Sequence, residues 1–263
     1  MKLWHLIENS QTSANQMKPV ELAQFKQLLD SASKVVVFTG AGISTESGIP
    51  DFRGPNGVWK SLQPIDFNDF VASEDARRLS WRRKFSNEYR LDSAKPNSGH
   101  IAISTLVEMG KVFSVITQNV DGLHQKSGIP DTQVIEIHGN ANYASCLDCD
   151  KRFELITIAE IFLPDESLPY CDVCDGLIKT ATISFGQPMP IGPMMAAEAA
   201  CENTDLMIVI GTSLLVYPAA GFPQLALNNG ANLIMINNEV TPLDGIFDLV
   251  LHHPIGATLS ALL

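Results

Sequence analysis

Residues 35–44 read VVVFTGAGIS, an apolar run that passes directly into a glycine-containing turn. Four consecutive apolar side chains, three of them β-branched, are typical of a parallel strand that is covered on both faces. Gly40 and Gly42 allow the backbone to approach a phosphate group, and the helix predicted to follow would direct N–H groups toward it. Thr45 replaces the third glycine of the dehydrogenase fingerprint, so a turn without a ligand remains an alternative.

Similar apolar runs recur along the chain and predict further strands. They lie at residues 112–117, 134–137, 182–185, 206–210, 233–236 and 249–251. Helical patterns separate several of them; one spans residues 20–31, and another spans residues 100–109 after a potential cap at Asn97 and before Gly110. This alternation predicts an α/β fold with a Rossmann-like, doubly wound parallel sheet.

Four cysteines form two Cys-x-x-Cys pairs, Cys146 with Cys149 and Cys171 with Cys174. Four thiolates suit tetrahedral zinc and leave it no open position, which predicts one structural Zn²⁺. Two disulfides or a redox dithiol are alternatives, but no signal peptide is recognisable and a redox motif needs only one pair. Cys201 lies in an alanine-rich helical pattern and is predicted to be a small buried side chain.

Two stretches interrupt the alternation of strands and helices, which indicates inserted segments. Residues 55–95 show no clear strand and predict a helical insertion, and residues 140–179 contain the paired cysteines. We predict a single catalytic domain, 1–263, with a smaller zinc-binding and helical lobe built from these two insertions. The large Rossmann-like lobe would comprise residues 20–54, 96–139 and 180–263.

The charge balance excludes some functions. The net charge is −11, from 18 basic and 29 acidic residues. The sequence contains no basic block, so we expect no direct nucleic-acid partner. No apolar run is long enough to span a bilayer, and residues 1–20 resemble neither a secretory signal nor a transit peptide. We therefore expect a cytoplasmic protein with reduced cysteines and no membrane partner.

Polar side chains follow the predicted strands, where open α/β sheets bind ligands. Gln118, Asn119 and Asp121 follow residues 112–117 and could hold an amide group and ribose hydroxyls, although an Asx turn is an alternative. His138 follows residues 134–137 and could act as a general base near neutral pH. A structural histidine or a metal ligand are the alternatives, and the filled shell of four sulfurs argues against the second.

Strand alternation places Glu136 and His138 on one face of their strand and Ile137 on the other. Further candidates lie in a loop that could close over a nucleotide and after two later strands; packing, solvated ion pairs or ordinary turns are the alternatives. These candidates are Asp51, Phe52, Arg53, Gly211, Thr212, Ser213, Asn237 and Glu239.

In this order, the motifs resemble the sirtuin family of NAD-dependent protein deacylases, over about residues 34–263. The matching motifs lie at residues 40–44, 47–54, 117–124, 138–139, 185–186 and 211–214, at Val216, Pro218, Asn237 and Glu239, and at the paired cysteines. The resemblance implies a Rossmann-type large domain and a zinc-bearing small lobe. NAD, as a consumed co-substrate, and an acyl-lysine protein or peptide would meet between them.

The resemblance implies removal of acyl groups, with acetyl expected, from lysine side chains. The products would be nicotinamide, O-acyl-ADP-ribose and free lysine. The acyl oxygen would attack the nicotinamide ribose, and His138 would then take a proton from a ribose hydroxyl. Asn119 and Asp121 would hold nicotinamide and the ribose, and Phe52 would shield the reactive centre. The predicted cofactor-binding residues are Gly40, Ala41, Gly42, Thr45, Asp51, Phe52, Arg53, Gln118, Asn119, Asp121, Gly211, Thr212, Ser213, Asn237 and Glu239.

Some residues depart from the family pattern near the substrate cleft. Gln187 stands where sirtuins often have glutamate, and Lys179 and Thr180 stand where they often have arginine and proline, so acyl or peptide preference could differ. Lys84 and Asn87 occupy the positions of a tyrosine and an arginine in sirtuins that remove acidic acyl groups, so we do not expect a desuccinylase.

Two other functions remain open from the sequence. The first is protein mono-ADP-ribosyltransfer from the same pocket, because the cluster Ala76-Arg77-Arg78 with Trp81 resembles sirtuins that have weak deacetylase activity and other acyl or ADP-ribosyl transfer roles. The second is a non-catalytic module that senses NAD or ADP-ribose. The intact set of Asn119, Asp121 and His138 argues against such a sensor.

Overall fold

The computed structural model describes residues 17–52, 54, 57–58, 63–86, 91 and 93–263. Its strands are β1 (Val35–Thr39), β2 (Val112–Thr117), β3 (Val134–Glu136), β4 (Gly139–Cys146), β5 (Arg152–Glu154), β6 (Ile178–Thr182), β7 (Leu206–Ile210), β8 (Asn232–Ile236) and β9 (Leu249–Leu251). Its α-helices are α1 (Pro19–Ser31), α2 (Phe67–Ala72), α3 (Glu74–Phe85), α4 (Ser98–Glu108), α5 (Leu123–Lys126), α6 (Leu155–Phe162), α7 (Ile191–Glu202), α8 (Phe222–Asn228) and α9 (Ile255–Ser260).

A six-stranded parallel sheet forms the centre, in the order β3-β2-β1-β7-β8-β9. The chain builds outward from β1 to β2 and β3 on one side, and from β7 to β8 and β9 on the other. The order therefore reverses between β1 and β7, which is where sheets of this kind bind ligands. The predicted doubly wound α/β fold is confirmed.

The two faces of this sheet are covered by different helices. Val35 and Val37 of β1 belong to an apolar cluster with residues of α1, α4 and α9. Val36 and Phe38 belong to a second cluster with residues of α7 and α8. Burial on both faces explains why β1 is apolar at each of these positions rather than at alternate ones. Cys201 is fully buried in the second cluster, as predicted.

A second, antiparallel sheet has the order β5-β4-β6. It shares an apolar cluster with Trp81 of α3 and with Ile158 and Phe162 of α6. The predicted strand at residues 182–185 is wrong, because β6 ends at Thr182 and belongs to this sheet rather than to the parallel one. The chain turns at once, since Gln187 N donates to the carbonyl of Ser184 at 3.0 Å.

The helix predicted to follow the glycine turn is present as a 3₁₀ helix, Ala41–Ser47, rather than as an α-helix. The hydroxyl of Thr45 donates to the carbonyl of Gly42 at 2.9 Å, and such local bonds compete with α-helical ones. The predicted cap at Asn97 is confirmed, because its Oδ1 accepts from the N–H groups of Gly99 and His100 and opens α4. None of the described helices is long and apolar enough to cross a bilayer.

The described elements can be placed on the predicted lobes. The range 140–179 contains most of β4, all of β5 and α6, and the start of β6, while α2 and α3 lie within 55–95. Because β4 begins at Gly139 and β6 continues to Thr182, both strands cross the predicted boundaries. The division into two lobes stays a prediction.

Candidate active site

The glycine turn lies against the carboxyl end of β7, where the order of the sheet reverses. Gly40 N donates to the carbonyl of Ile210 at 3.0 Å, and Gly42 N donates to the carbonyl of Gly211 at 2.8 Å. A Cβ atom added to Gly42 would lie 2.7 Å from the Cα of Gly211, which is too close for any side chain. The sequence suggested that these glycines admit a phosphate, and in the structure they also bring two strand ends into direct contact.

We expect Gly42→Ala to displace this turn and to raise the KM for a bound dinucleotide by roughly tenfold, because overpacking against backbone costs about 1–3 kcal/mol. Gly192→Ala is the matched control, since an added Cβ on Gly192 of α7 meets no atom within 4 Å. Steady-state kinetics and thermal unfolding of both variants check this. Equal KM values for the two variants would contradict it.

Asn119 and Asp121 are buried and are locked to the glycine turn. The side-chain amide of Asn119 donates to the carbonyl of Gly40 and to the hydroxyl oxygen of Ser44, both at 3.2 Å. The Ser44 hydroxyl in turn donates to Asp121 Oδ2 at 2.7 Å. Asp121 Oδ1 accepts from the N–H of Leu123 at 2.9 Å, so the Asx turn considered from the sequence is present as well. Two polar groups are thus held in fixed orientations beside the turn.

Gln118 connects Thr212, which follows β7, to His138. Its side-chain amide donates to the Thr212 hydroxyl at 3.0 Å, and its main-chain carbonyl lies 3.0 Å from His138 Nδ1. A carbonyl only accepts, so Nδ1 carries the proton and the basic lone pair is on Nε2. Ile137 is fully buried while His138 is half-buried, but both follow the end of β3 at Glu136 and lie in a turn, so the predicted strand alternation does not extend to them. In its neutral form, the imidazole therefore has one defined tautomer.

Two buried histidines, His100 and His124, lie next to each other near the end of β1. The sequence analysis assigned neither of them a role. His124 Nε2 is 2.9 Å from the Thr39 hydroxyl oxygen, and the His100 ring centroid is 5.1 Å from that of His124. Burial lowers the pKa of His124 to about 3 and that of His100 to about 4, so both are neutral near pH 7. One signal was available in the sequence: Thr39 and Thr117 end neighbouring strands, and the structure pairs them in register.

The predicted cofactor loop is described only in part. Asp51 Oδ1 accepts from the N–H of Gly54 at 2.9 Å, so this carboxylate closes the loop on itself. Phe52 is half-buried. Arg53 lies outside the described residues, and its predicted role stays a prediction.

The remaining predicted residues lie in the 3₁₀ helix and after strands β7 and β8. Ala41 is the first residue of the 3₁₀ helix and Ser213 follows the buried Thr212. Asn237 and Glu239 follow β8, the neighbour of β7, and the Asn237 amide donates to the Glu239 carbonyl at 2.7 Å. Among the described residues, the Asn237 side chain thus bonds within its own loop rather than to the glycine turn.

This set of groups fits a dinucleotide. Two glycines leave room for phosphate beside main-chain N–H groups, amides and hydroxyls lie at three neighbouring strand ends, and an exposed carboxylate follows β8. All of these groups except the carboxylate lie at the strand ends beside the point where the order of the sheet reverses.

The four cysteines converge at the other end of β4. Their Sγ atoms all lie within 4.8 Å of one another, with Cys146 and Cys174 3.4 Å apart and Cys149 and Cys171 3.6 Å apart. Tetrahedral zinc with bonds of about 2.3 Å places sulfurs about 3.8 Å apart, whereas a disulfide needs about 2.05 Å. The cluster fits a structural Zn²⁺ and does not fit disulfides.

Comparison with known proteins gives consistent matches. Residues 40–218 match the profile of the Sir2 family. An NAD-dependent protein deacetylase of Rhodopseudomonas palustris is 51% identical over 237 residues, which cover 90% of this chain and 94% of the relative. One from Thermotoga maritima is 38% identical over 235 residues, covering 88% and 92%. A solved Sir2 structure with a p53 peptide and NAD⁺ has a TM-score of 0.82 at 35% identity, covering 93% of this chain and 96% of that one.

Proposed function

Because this chain belongs to the Sir2 family, we infer that it is an NAD-dependent protein-lysine deacylase. The resemblance to sirtuins drawn from the sequence motifs is confirmed by the matched profile and by the 51% identity to a deacetylase. The observation that carries the mechanism is the hydrogen bond between His138 Nδ1 and the Gln118 carbonyl, because it orients a base at the dinucleotide cleft.

NAD supplies a glycosidic bond to nicotinamide, whose cleavage makes the ribose carbon reactive toward the acyl oxygen of the substrate. The glycine turn and Thr212 would hold the phosphates and ribose, and Asn237 and Glu239 the distal ribose. Asn119 and Asp121 would hold the nicotinamide end. Their positions are fixed by bonds to Ser44 and Gly40, which reduces the cost of ordering the pocket.

His138 would act as the general base on a ribose hydroxyl. Its Nε2 accepts the proton, and the resulting imidazolium keeps its bond from Nδ1 to the Gln118 carbonyl, which is stronger when the donor is charged. In the neutral ring, the same bond directs the protonated Nδ1 to the Gln118 carbonyl, so that the unprotonated Nε2 is the nitrogen available to the substrate. Gln118 thus determines which nitrogen performs the chemistry.

An acyl-lysine peptide would bind as an extended segment in the cleft between the lobes, with acetyl as the expected acyl group. Exposed apolar side chains support this placement: Phe185 follows β6, and Leu215 and Tyr217 follow the Thr212 turn. Solved Sir2 structures of similar fold contain acetylated peptide. A cytoplasmic location remains part of the proposal.

The test is incubation of the protein with NAD and a panel of acylated peptides, with mass analysis of all products. We expect equal amounts of nicotinamide, free-lysine peptide and O-acyl-ADP-ribose, with the acetyl peptide among the substrates. ADP-ribosylated protein in place of O-acyl-ADP-ribose would identify a mono-ADP-ribosyltransferase. NAD binding without release of nicotinamide would identify a sensor and would contradict the proposed activity.

A further inference from the structure

A chain of hydrogen bonds connects His124 to the nicotinamide end of the cleft. His124 Nε2 lies 2.9 Å from the Thr39 hydroxyl oxygen, which is 2.8 Å from the Thr117 hydroxyl oxygen. The Thr117 oxygen also accepts from the main-chain N–H of Asn119 at 3.0 Å. His124, Thr39 and Thr117 are each at most 2% exposed. This series of hydrogen bonds is therefore shielded from solvent and ends at the main-chain N–H of Asn119.

The direction of these bonds follows from the surroundings of His124. Its Nδ1 is buried and has no hydrogen-bond partner among the described residues. A buried N–H without a partner is rare, so the proton is on Nε2, which donates to the Thr39 hydroxyl, and Thr39 donates in turn to Thr117. His100 has the same tautomer, because its Nδ1 accepts from the N–H of Asn97 at 3.4 Å and its proton is therefore on Nε2. Both rings are thereby fixed as neutral tautomers.

We propose that His124 is a positioning residue for the nicotinamide pocket, which acts through Thr39 and Thr117 on the main chain of Asn119. This rests on the proposed function, in which Asn119 holds nicotinamide. Removal of the Nε2–H donor leaves the Thr39 oxygen buried without its donor. The hydroxyl is then free to rotate away from Thr117, which loosens the turn that carries Gln118 and Asn119.

The surroundings of His124 keep this donor in one state. The titratable groups near the pair are His100, which disfavours a charge on His124, and Asp121, which acts on His100. Burial dominates both effects and lowers the pKa of His124 to about 3. Its peptide carbonyl is also held, because it accepts from the Ser127 hydroxyl at 2.6 Å. The Nε2–H group therefore stays in place across the range in which the enzyme works.

Two substitutions at His124 test the proposal, because glutamine can present an N–H near the position of Nε2 and leucine cannot. In His124→Leu we expect the KM for NAD and the inhibition constant of nicotinamide each to rise by roughly tenfold. The KM for the acyl peptide should change less than about twofold. His124→Gln should restore both NAD-side constants to within about threefold of the wild type. A KM and an inhibition constant do not depend on the fraction of folded enzyme, so partial unfolding of a variant does not produce these changes.

A second pair covers the case in which His124→Leu does not fold. Thr39→Val has nearly the shape of threonine but interrupts the chain, and Thr39→Ser keeps the hydroxyl. We expect Thr39→Val to raise the KM for NAD and the inhibition constant of nicotinamide as His124→Leu does, and Thr39→Ser to leave both constants unchanged. The double variant Thr39→Val with His124→Leu should raise the KM for NAD no further than either single variant.

Three different results would contradict the relay, the role of His124 in the pocket, and the proposed function, respectively. If valine and serine, or leucine and glutamine, change the KM for NAD equally, the relay is absent. If the KM for NAD and the KM for the peptide rise together, His124 supports the fold rather than the pocket. If the wild-type protein releases no nicotinamide with an acyl peptide, the proposed function itself fails, whatever the variants do.

Discussion

Replacing His138 with alanine should slow deacylation by roughly a thousandfold, because a positioned general base contributes about 10²–10⁴ in rate. NAD binding should be largely retained, since the main-chain contacts of Gly40 and Gly42 and the side-chain bonds of Asn119 do not involve His138. The measurements are product formation at saturating acyl peptide and calorimetric titration with NAD.

His138→Asn is the matched control for the structural role of the ring. An asparagine amide can replace Nδ1–H as donor to the Gln118 carbonyl, but it offers no basic nitrogen at the position of Nε2. If proton transfer is the role of His138, both variants should be equally slow. A fast asparagine variant would show that His138 only supports the main chain of Gln118.

Cys171→Ser should abolish stoichiometric zinc and unfold the antiparallel sheet. Zinc bound by small Cys-containing peptides contributes on the order of 10 kcal/mol, which matches the whole free energy of unfolding of an ordinary domain, about 5–15 kcal/mol. Strand β4 connects the cluster to the cleft: Cys146 pairs with Ile178 at one end, and Gly139, which follows His138, pairs with Thr182 at the other. Loss of the metal should therefore remove activity as well as stability.

Zinc content, thermal unfolding and deacylation of Cys171→Ser and of chelator-treated wild type check this. Cys201→Ala is the control, because Cys201 is buried in the core of α7 and lies outside the four-sulfur cluster. It should keep one zinc per chain and most of the activity. A metal-free protein that stays folded and fully active would contradict a structural zinc.

The parallel sheet could be predicted from the sequence because its strands are covered on both faces. The residues of β1 and β7 are all buried, so each run is continuously apolar and needs no knowledge of its neighbours. The Asn97 cap could be predicted for a similar reason, since the bond from its side chain to Gly99 N is local. Local and uniform environments leave clear patterns in a sequence.

The small sheet left no such pattern. Strand β4 reads GNANYASC, and its burial is irregular because the strand is bulged and half-covered. The predicted strand at 182–185 failed because Phe185 is exposed and lies within the turn that the bond from Gln187 N to the Ser184 carbonyl closes, although Thr182 and Ile183 are β-branched. The contact of Gly42 with Gly211 and the relay from His124 to Asn119 depend on residues brought together by the fold. Such pairings cannot be obtained from spacing alone.

The bond that fixes the tautomer of His138 comes from the peptide carbonyl of Gln118 and not from its side chain. A side-chain carboxylate in the position of this acceptor could be lost by a single substitution, whereas every amino acid at position 118 has a main-chain carbonyl. The side chain of Gln118, which contacts Thr212, can therefore diversify with the cofactor loop while the proton acceptor keeps its orientation. Only a change in the path of the backbone after β2 would disturb it.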